Sequence, residues 1–344
     1  MSRIPTLGKV DKNFFDHVIF PHLGANHPEI LQGPQMGLDN GVVRIANGRV
    51  MAVTTDPLSY IPELGPEDSA WISVHLLAND LSTSGLEPAY AILSFNMPEH
   101  MDERDFERYW SAMHEELEQL NIAVIAGHTG RYGGDHSTII GNGTLFATGL
   151  ESAYLTSKMA LPGDQIILTK GAMPGTCGLL ARVFPKSVER AYGSEFLKRA
   201  QKLFGQYPTT PDALAAMSVG VREDGVTAMH DVTEGGVYGA LAELASASGC
   251  GLAVDKEEIF ISDEVRAICE LFELDPYRSL SEGALLISVR PHKTEAVVKA
   301  LKSKKIEASI VGELRPKSQG IGIEPSAEDP YWKAYQRAHE RGWK

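Results

Sequence analysis

The spacing of apolar residues predicts two long helices in the first half of the chain. Between 103 and 120, apolar residues recur at steps of three and four, as in a helix with one buried face; they are Phe106, Tyr109, Trp110, Met113, Leu117 and Leu120. The segment 66–84 is apolar nearly all round from Ala70 until Asn79 and Asp80. This second pattern indicates a helix that is buried on most sides.

Short apolar runs predict the strands and a boundary between two halves. The first half contains four such runs, 49–55, 89–96, 122–126 and 138–148. The turn signal Pro162-Gly163-Asp164 precedes another strand, 165–169, and we place a domain boundary between 150 and 164.

The second half alternates helical and strand patterns. A helical face is formed by Val237, Ala240, Leu241 and Leu244, whereas 283–289 predicts a strand. The run 294–301 predicts a helix with Thr294 as its N-cap, and the polar and aromatic tail, 325–344, predicts a surface helix. Because both halves mix helices and strands, we predict an α/β (α+β) protein with two domains, residues 1–155 and 156–344.

Length and composition narrow the classes of protein. The 344 residues exceed the usual size of one core, and 43% hydrophobic with 22% charged residues is ordinary for a globular protein. The longest apolar runs are far too short to cross a bilayer. A net charge of −13 argues against a nucleic-acid partner, since that affinity needs many Lys and Arg side chains.

The N-terminus and the cysteines indicate a cytoplasmic protein. The first residues lack the apolar stretch of a signal peptide. Three widely spaced cysteines, Cys177, Cys250 and Cys269, form no metal-binding or disulfide pattern, and we expect reduced thiols.

Polar side chains stand where the predicted elements end. Asp56 directly follows the strand 49–55, and Gly127-His128-Thr129 follows the strand 122–126. The segment 231–236 (Asp-Val-Thr-Glu-Gly-Gly) leads into a helix, and Asp39-Asn40-Gly41 precedes a short apolar run.

A structural interpretation competes with a functional one at each of these positions. Asp56 before Pro57 fits a turn, Asp231 fits a helix N-cap, and Asp39-Asn40-Gly41 fits a hairpin turn. Asp80 differs, because a carboxylate on an apolar helix is costly to bury without a cation, a donor or an edge position.

Magnesium with a nucleotide accounts for the whole set of aspartates. Mg²⁺ takes one or two carboxylates together with phosphate oxygens, so several ions along a triphosphate need aspartates from separate elements. The sequence contains no GxxxxGK[ST], which excludes a P-loop. The segment 33–41 and Gly235-Gly236 are the candidate phosphate cradles.

Two other chemistries are poorly supported by the sequence. A zinc site would use His22, His27, His128 and His136, but their spacing matches no zinc pattern. A serine hydrolase would need a GxSxG segment, which is absent. The segment Gly134-Asp135-His136 fits a mobile loop or a turn, and we favour the turn.

Five segments, taken in order, resemble the ATP-binding superfamily of aminoimidazole ribonucleotide (AIR) synthetase. It includes thiamine-monophosphate kinase, selenophosphate synthetase and the E-type hydrogenase maturation protein. The segments are 53–56 (VTTD), 79–88 (NDLSTSGLEP), 127–129 (GHT), 231–236 (DVTEGG) and 281–283 (SEG). Taken together, these motifs are most similar to those of the hydrogenase maturation branch.

This resemblance implies a fold and a set of ligands. It implies an N-terminal mixed-sheet domain that pairs into a homodimer and a C-terminal α/β sandwich domain. It implies that ATP and Mg²⁺ are bound by Asp39, Thr54, Thr55, Asp56, Asn79, Asp80, Gly127, His128, Thr129, Asp231, Glu234 and Gly235. The metal ligands among these would be Asp39, Asp56, Asp80 and Asp231.

The chain also departs from the family pattern. Asn40 stands where the family usually has the second of two aspartates, and no cysteine precedes Cys177 as in selenophosphate synthetase. Residues 339–344 lack the terminal cysteine of the hydrogenase maturation protein. No residue stands out as a catalytic base; His128 is a candidate that could equally replace a metal ligand.

Three hypotheses about function follow. The leading one is an enzyme that uses ATP to phosphorylate or dehydrate a small substrate. The second is a nucleotide-binding maturation or assembly factor whose partner is a protein, without independent catalysis. The third is a scaffold that keeps the dimer without binding ATP.

Overall fold

A computed structural model describes residues 8–99, 101–132, 138–324, 326 and 328–343, so the segment Gly134-Asp135-His136 and the predicted zinc ligand His136 lie outside it. The strands are Ile30–Gln32 (β1), Gly41–Ala46 (β2), Arg49–Ser59 (β3), Pro88–Met97 (β4), Ala123–Arg131 (β5), Ile139–Leu150 (β6), Gln165–Thr169 (β7), Val226–Val232 (β8), Gly251–Val254 (β9), Ala284–Val289 (β10) and Ala308–Arg315 (β11). The helices are Lys12–Phe14 (α1), Gly65–Ser82 (α2), Glu103–Gln119 (α3), Pro174–Val183 (α4), Pro185–Tyr192 (α5), Ser194–Lys202 (α6), Thr210–Met217 (α7), Gly236–Ser248 (α8), Asp263–Phe272 (α9), Thr294–Ser303 (α10) and Pro330–Glu340 (α11).

The first sheet is mixed and has six strands in the order β1-β2-β3-β6-β4-β5. Only β4 and β5 pair in parallel; the other neighbours in this described sheet are antiparallel. One face of the sheet packs on α2 and α3, where Tyr109, Met113 and Leu117 are buried as the helical spacing predicts. The opposite face, called the open face below, carries Thr55, Tyr90 and Thr144.

Helix α2 is buried on most sides, as its composition predicts. Its buried serines, Ser69, Ser73 and Ser82, are hydrogen-bonded within the core. The Ser73 hydroxyl accepts from the Ser59 amide at 2.9 Å and from the Tyr109 hydroxyl at 3.0 Å. Buried polar groups that are paired in this way cost little, so a helix with few exposed residues can carry serines.

The second sheet is antiparallel and has five strands in the order β8-β10-β7-β11-β9. Both of its faces are covered, which explains why every residue of β8 and β10 is buried. One face packs on α4, α8 and α9, and the other packs on α7 and α10. The α/β (α+β) class predicted from the sequence is therefore confirmed.

Three local predictions need correction. Strand β3 runs through Asp56 to Ser59, and β5 continues through 127–129, so these residues lie inside strands rather than after them. Thr294 is the first residue of α10, and Lys293 occupies the N-cap position. Helix α11 is present at the surface, as predicted, and packs one face, formed by Tyr331, Ala334 and Ala338, against the second domain.

None of the helices in the described part of the chain is long and apolar enough to cross a membrane.

Candidate metal centre

Four aspartates from four separate elements form one acidic cluster. Asp39 precedes β2, Asp56 lies in β3, Asp80 lies near the end of α2, and Asp231 lies in β8. Burial raises the pKa of Asp80 well above its usual range, and the nearby carboxylates of Asp56, Asp231 and Asp39 raise it further. The fold therefore brings together the four residues that the sequence singled out, from both sheets.

The cluster holds more negative charge than its surroundings stabilise. Burial, followed by the charge of Asp39, raises the pKa of Asp231 to about 7. Burial also raises the pKa of Asp56, and the Asp39 carboxylate adds to the effect. Carboxylates that lie close together without enough counter-charge hold their protons more tightly. Such a cluster favours the binding of a cation.

Lys9 is the positive group that faces these aspartates, and the sequence analysis missed it. Burial lowers the pKa of Lys9, but the charges of Asp80 and Asp56 outweigh this and raise it overall. Its ammonium group donates to the Thr233 hydroxyl at 3.3 Å, and its amide donates to the Glu234 carboxylate at 3.0 Å. The segment that begins at Gly8 is thereby tied to the second domain.

His230 is a second missed residue, and it bridges two carboxylates. Its Nδ1 lies 2.6 Å from Asp39 Oδ1, and its Nε2 lies 3.0 Å from Glu243 Oε2. Burial lowers the pKa of His230, but Asp39 and Glu243 raise it well above its usual value overall. Its sequence signal is a histidine directly before Asp231 in a fully buried strand, where a polar side chain needs partners.

Glu282 also belongs to the neighbourhood of the cluster. Burial raises the pKa of Glu282 well above its usual range, and the charge of Asp231 adds to this effect while Lys9 opposes it. The backbone amide of Glu282 donates a hydrogen bond to the Thr176 hydroxyl at 3.0 Å. The segment 281–283, which the sequence analysis noted only for its resemblance, thus approaches the same centre.

Thr54 and Thr55 lie on opposite faces of the first sheet. The Thr54 hydroxyl contacts the Asp39 carbonyl at 2.8 Å and Asp80 Oδ2 at 3.1 Å, so it supports the cluster. The Thr55 hydroxyl donates to the Gly143 carbonyl at 2.9 Å on the open face. The structure therefore brings Thr54 to the aspartates but not Thr55.

Two amide side chains near the cluster are engaged in packing. Asn79 donates to the Tyr207 carbonyl at 2.9 Å and accepts from the Thr209 amide at 2.7 Å. Asn40, the residue that departs from the family's paired aspartates, donates to the Thr83 hydroxyl at 2.9 Å. An aspartate at position 40 could not make this donation, so the departure has a structural basis.

The loop after β8 follows Asp231 directly and depends on two glycines for its backbone conformation. Asp231 is a strand residue, so its interpretation as an N-cap is wrong; Gly235 occupies the N-cap position of α8. Gly235 has φ +81° and donates its amide to Asp329 Oδ2 at 2.7 Å. A Cβ at Gly236 would lie 2.7 Å from the Tyr277 carbonyl oxygen, which requires glycine there.

The hairpin interpretation of Asp39-Asn40-Gly41 is also wrong. Gly41 is the first residue of β2 and pairs with Val53 of β3, so Asn40 and Gly41 are not the two central residues of a tight turn. Asp39 is held before this strand with its side chain only 6% exposed.

The segment 127–129 lies in the sheet that carries Asp56, but at a distance. Asp56, Gly143, Leu93 and Gly127 are paired in one row across four strands. At about 4.8 Å per strand, the row spans about 14 Å. His128 and Thr129 are exposed, and the His128 ring contacts the Tyr132 hydroxyl at 2.7 Å. In the described chain, no contact joins these two residues to the aspartates, and their role stays a prediction.

The residues present fit the binding of Mg²⁺. The cluster offers hard oxygen donors from four carboxylates, which is the donor set that Mg²⁺ prefers. Asp39 Oδ2 is buried and has no hydrogen-bond partner in the described part of the chain. A buried carboxylate oxygen without a partner is costly, and a bound cation would satisfy it. His22 and His27 are exposed and take no part in the cluster.

Comparison with known families agrees with this arrangement. The family described as "AIR synthase related protein, N-terminal domain" matches residues 37–165, and its counterpart described as "AIR synthase related protein, C-terminal domain" matches residues 162–323. The chain belongs to the AIR synthase related family. The resemblance inferred from the five motifs is confirmed.

Several curated proteins with similar sequences are named as hydrogenase maturation proteins. Carbamoyl dehydratase HypE of Rhizobium leguminosarum bv. viciae is 30% identical over 284 residues, covering 80% of this chain and 76% of that protein. A putative hydrogenase expression/formation protein of Methanocaldococcus jannaschii is 26% identical, covering 92% and 91%.

Solved structures of the AIR synthase related family share this fold. HypE in a HypE–HypF complex superposes with a TM-score of 0.70 at 21% identity, covering 88% of this chain and 93% of that one. ThiL complexed with AMPPCP and TMP gives 0.68 at 17% identity, covering 86% and 91%. HypE in complex with ATP gives 0.61 at 21%, covering 92% and 86%. At these identities the likeness shows the fold alone.

Proposed function

We propose that this protein is a Mg-ATP-dependent enzyme that phosphorylates or dehydrates a small substrate. The observation that carries the proposal is the cluster of Asp39, Asp56, Asp80 and Asp231, which come from the segment before β2, from β3, from α2 and from β8. Membership of the AIR synthase related family supports it, since solved members of the same fold include complexes with ATP and with AMPPCP.

Each residue of the cluster has a distinct part in this proposal. Asp56 and Asp80 would bind Mg²⁺, and the Lys9 ammonium, which interacts with both carboxylates in the metal-free protein, would turn to the phosphates when the nucleotide binds. Asp39 and Asp231 would bind cations along the same triphosphate. Thr54 fixes the orientation of Asp80 through its hydroxyl. Mg²⁺, when bound, supplies neutralisation of phosphate charge, which with positioning accounts for most of the catalysis of phosphoryl transfer.

Glycine-rich turns and helix N-termini would hold the phosphates. Gly235 is the N-cap residue and Gly236 the first residue of α8, both with positive φ angles, and backbone amides at such a helix start bind anions readily. Gly235 already donates its amide to Asp329, so this amide would have to exchange partners on nucleotide binding.

The test is the thermal stability of the pure protein with ATP, with and without Mg²⁺. A ligand present at about 100 times its dissociation constant adds about 2.7 kcal/mol of stability. We expect a rise in melting temperature that requires Mg²⁺. Asp56→Asn and Asp80→Asn should lose this rise, whereas Asp263→Asn, the same substitution at an exposed helix start, should keep it. No rise at millimolar Mg-ATP would refute the proposal.

A homodimer forms part of the proposal, and the open face of the first sheet supports it. Exposed apolar side chains on this sheet include Tyr90, Ile125 and Leu150, with Ile125 58% exposed. Strand β5 is an edge strand of the described sheet, with unpaired backbone groups that invite pairing with another chain. We expect a dimer in sedimentation experiments and a monomer for Ile125→Asp. A wild-type monomer at micromolar concentration would exclude this assembly.

A second candidate is a nucleotide-binding maturation or assembly factor with a protein partner. One solved structure with this fold is a complex of HypE with HypF, which supports the idea of a protein partner. Mg-ATP binding that saturates without turnover on any small acceptor, together with stoichiometric capture of one protein, would favour this candidate over the first.

Two further points stay proposals. We propose the division into residues 1–155 and 156–344, supported by the separate sheets and cores on either side. We also propose a cytoplasmic location, supported by three buried cysteines that form no disulfide.

A further inference from the structure

We propose that Asp39, His230 and Asp231 form a binding site for a divalent first-row transition-metal ion, with the His230 ring nitrogen Nδ1 as a ligand. One potential ligand atom from each of these residues lies within 4.8 Å of the others. The proposal deepens the proposed function, because it concerns the metal selectivity of the same centre. It rests on the metal role of Asp39 and Asp231, but it does not require that the nucleotide is ATP.

The first argument is the geometry between His230 and Asp39. Their side chains are 5% and 6% exposed, and Nδ1 lies 2.6 Å from Oδ1. Although the two atoms are this close, Nδ1 makes no well-aligned hydrogen bond among the described residues. With metal–ligand bonds of about 2.1 Å, neighbouring ligands of one ion lie about 3 Å apart, so a small shift of the Asp39 carboxylate admits an ion between these two atoms.

The second argument is the orphan oxygen of Asp39. Oδ2 is buried and has no partner among the described residues, while Oδ1 faces the histidine. A buried carboxylate oxygen and a buried ring nitrogen that both lack hydrogen bonds are costly. A cation bound between Asp39, His230 and Asp231 would satisfy both atoms at once.

The third argument is the support of the ring by Glu243. His230 Nε2 lies 3.0 Å from Glu243 Oε2, on the side of the ring away from Asp39. A carboxylate that accepts the second ring N–H fixes the tautomer in which the first nitrogen is free to bind a metal. Glu243 is 38% exposed at its side chain and offers this support from α8.

The donor set distinguishes this site from one for Mg²⁺ alone. Mg²⁺ prefers oxygen donors and rarely takes imidazole, whereas Mn²⁺, Fe²⁺, Co²⁺ and Zn²⁺ accept mixed nitrogen and oxygen donors. Asp56 and Asp80, which face Lys9, offer oxygen only. The cluster therefore divides into an oxygen-only half and a half that contains a nitrogen.

The competing explanation is a charged pair without a metal. A protonated His230 between Asp39 and Glu243 would neutralise part of the cluster by itself. That arrangement calls for an aligned hydrogen bond from Nδ1 to Asp39, since charged hydrogen bonds are short and direct. Burial lowers the pKa of His230, but Asp39 and Glu243 raise it overall, so the metal-free ring carries a proton that a bound ion displaces from Nδ1. The two explanations therefore predict different spectra for the protein with Mn²⁺.

The experiment uses Mn²⁺ as the probe on the full chain, freed of metals. Pulsed electron paramagnetic resonance detects a nitrogen nucleus bound to Mn²⁺, and calorimetry gives the Mn²⁺ affinity. We expect nitrogen coupling in the wild type and its loss in His230→Gln, with Mn²⁺ affinity at least tenfold weaker in that variant. His114→Gln, the same substitution at an exposed position of α3, should match the wild type.

The outcomes separate this inference from the proposed function. Wild-type Mn²⁺ without nitrogen coupling would overturn the inference, even if His230→Gln fails to fold. Unchanged Mn²⁺ affinity in a folded His230→Gln would do so as well. A Mg-ATP thermal shift without nitrogen coupling would support the proposed function and refute the metal site with a nitrogen ligand. Nitrogen coupling without any ATP shift would refute the proposed function and support that metal site.

Discussion

The charge of Asp231 should make the metal-free protein less stable than a variant that lacks it. Asp231→Asn keeps the shape of the side chain and removes one negative charge from the cluster. Burial and the Asp39 carboxylate raise the pKa of Asp231 from 3.8 to about 7, even though His230 and Lys9 oppose this. The folded protein therefore disfavours the ionised form of this side chain.

The size and the pH dependence of the effect follow from that pKa. In the unfolded chain Asp231 ionises near pH 4, whereas in the folded chain it keeps its proton until about pH 7. Its contribution to the free energy of unfolding is therefore full below pH 4 and is lost progressively as the pH rises to about 7. At about 1.36 kcal/mol per pKa unit, the loss is about 4 kcal/mol at most.

We expect Asp231→Asn to unfold with about 1–4 kcal/mol more free energy than the wild type at pH 8, and with a smaller gain at pH 5. The measurement is urea unfolding in the presence of a chelator at both pH values. Asp212→Asn is the matched control, because Asp212 is buried but pairs with Lys170 at 3.0 Å. It should lose about 1–3 kcal/mol, since the Lys170 ammonium loses its charged partner and keeps only the Gln206 and Pro208 carbonyls.

Two results would refute the reasoning about Asp231. If Asp231→Asn were less stable than the wild type at pH 8 without metal, the carboxylate would be a net stabilising group. If the gain were the same at pH 5 and pH 8, it would not arise from ionisation of this side chain.

Three further predictions address Lys9 and the packing of the second domain. Lys9→Met should bind Mg²⁺ without nucleotide about tenfold more tightly, equivalent to about 1.4 kcal/mol, because a competing ammonium is removed; calorimetry that shows weaker binding would contradict this. Arg290→Ala should lose about 3–5 kcal/mol in urea unfolding, since it leaves the fully buried Asp164, 2.9 Å away, without its cation. Gly178→Ala should lose more than about 2 kcal/mol in the same assay, because its Cβ would overlap the Phe204 backbone nitrogen; wild-type stability would show that α4 can shift.

The helices were predictable because their patterns are local. The spacing of apolar residues that begins at Phe106 indicates the buried face of α3. The carboxylate of Asp102, the N-cap residue, accepts from the Asp105 amide at the start of the helix. The ends of β3 and β5 were not predictable in this way. In the sequence, Pro57 and Gly127 indicate strand ends. In the structure, β3 pairs with β6 beyond Pro57, and β5 pairs with β4 beyond Gly127.

The candidate site was only partly accessible to the sequence. Asp80 stood out because a carboxylate is rare on an apolar helix, and the other aspartates followed from the family resemblance. Lys9 carries no local signal, since its partner Thr233 is 224 residues away. His230 was overlooked because its partners, Asp39 and Glu243, come from the other sheet and from the next helix.

The hydrogen bond between Gly235 and Asp329 links the last helix to the candidate site. Since Asp329 also caps α11 by accepting from the Tyr331 amide at 2.8 Å, one carboxylate starts a helix and holds the loop after β8. Local opening of this loop then requires the release of the terminal helix as well. We therefore expect the two segments to open together, so that amide hydrogen exchange at Gly235 reports whether α11 is docked.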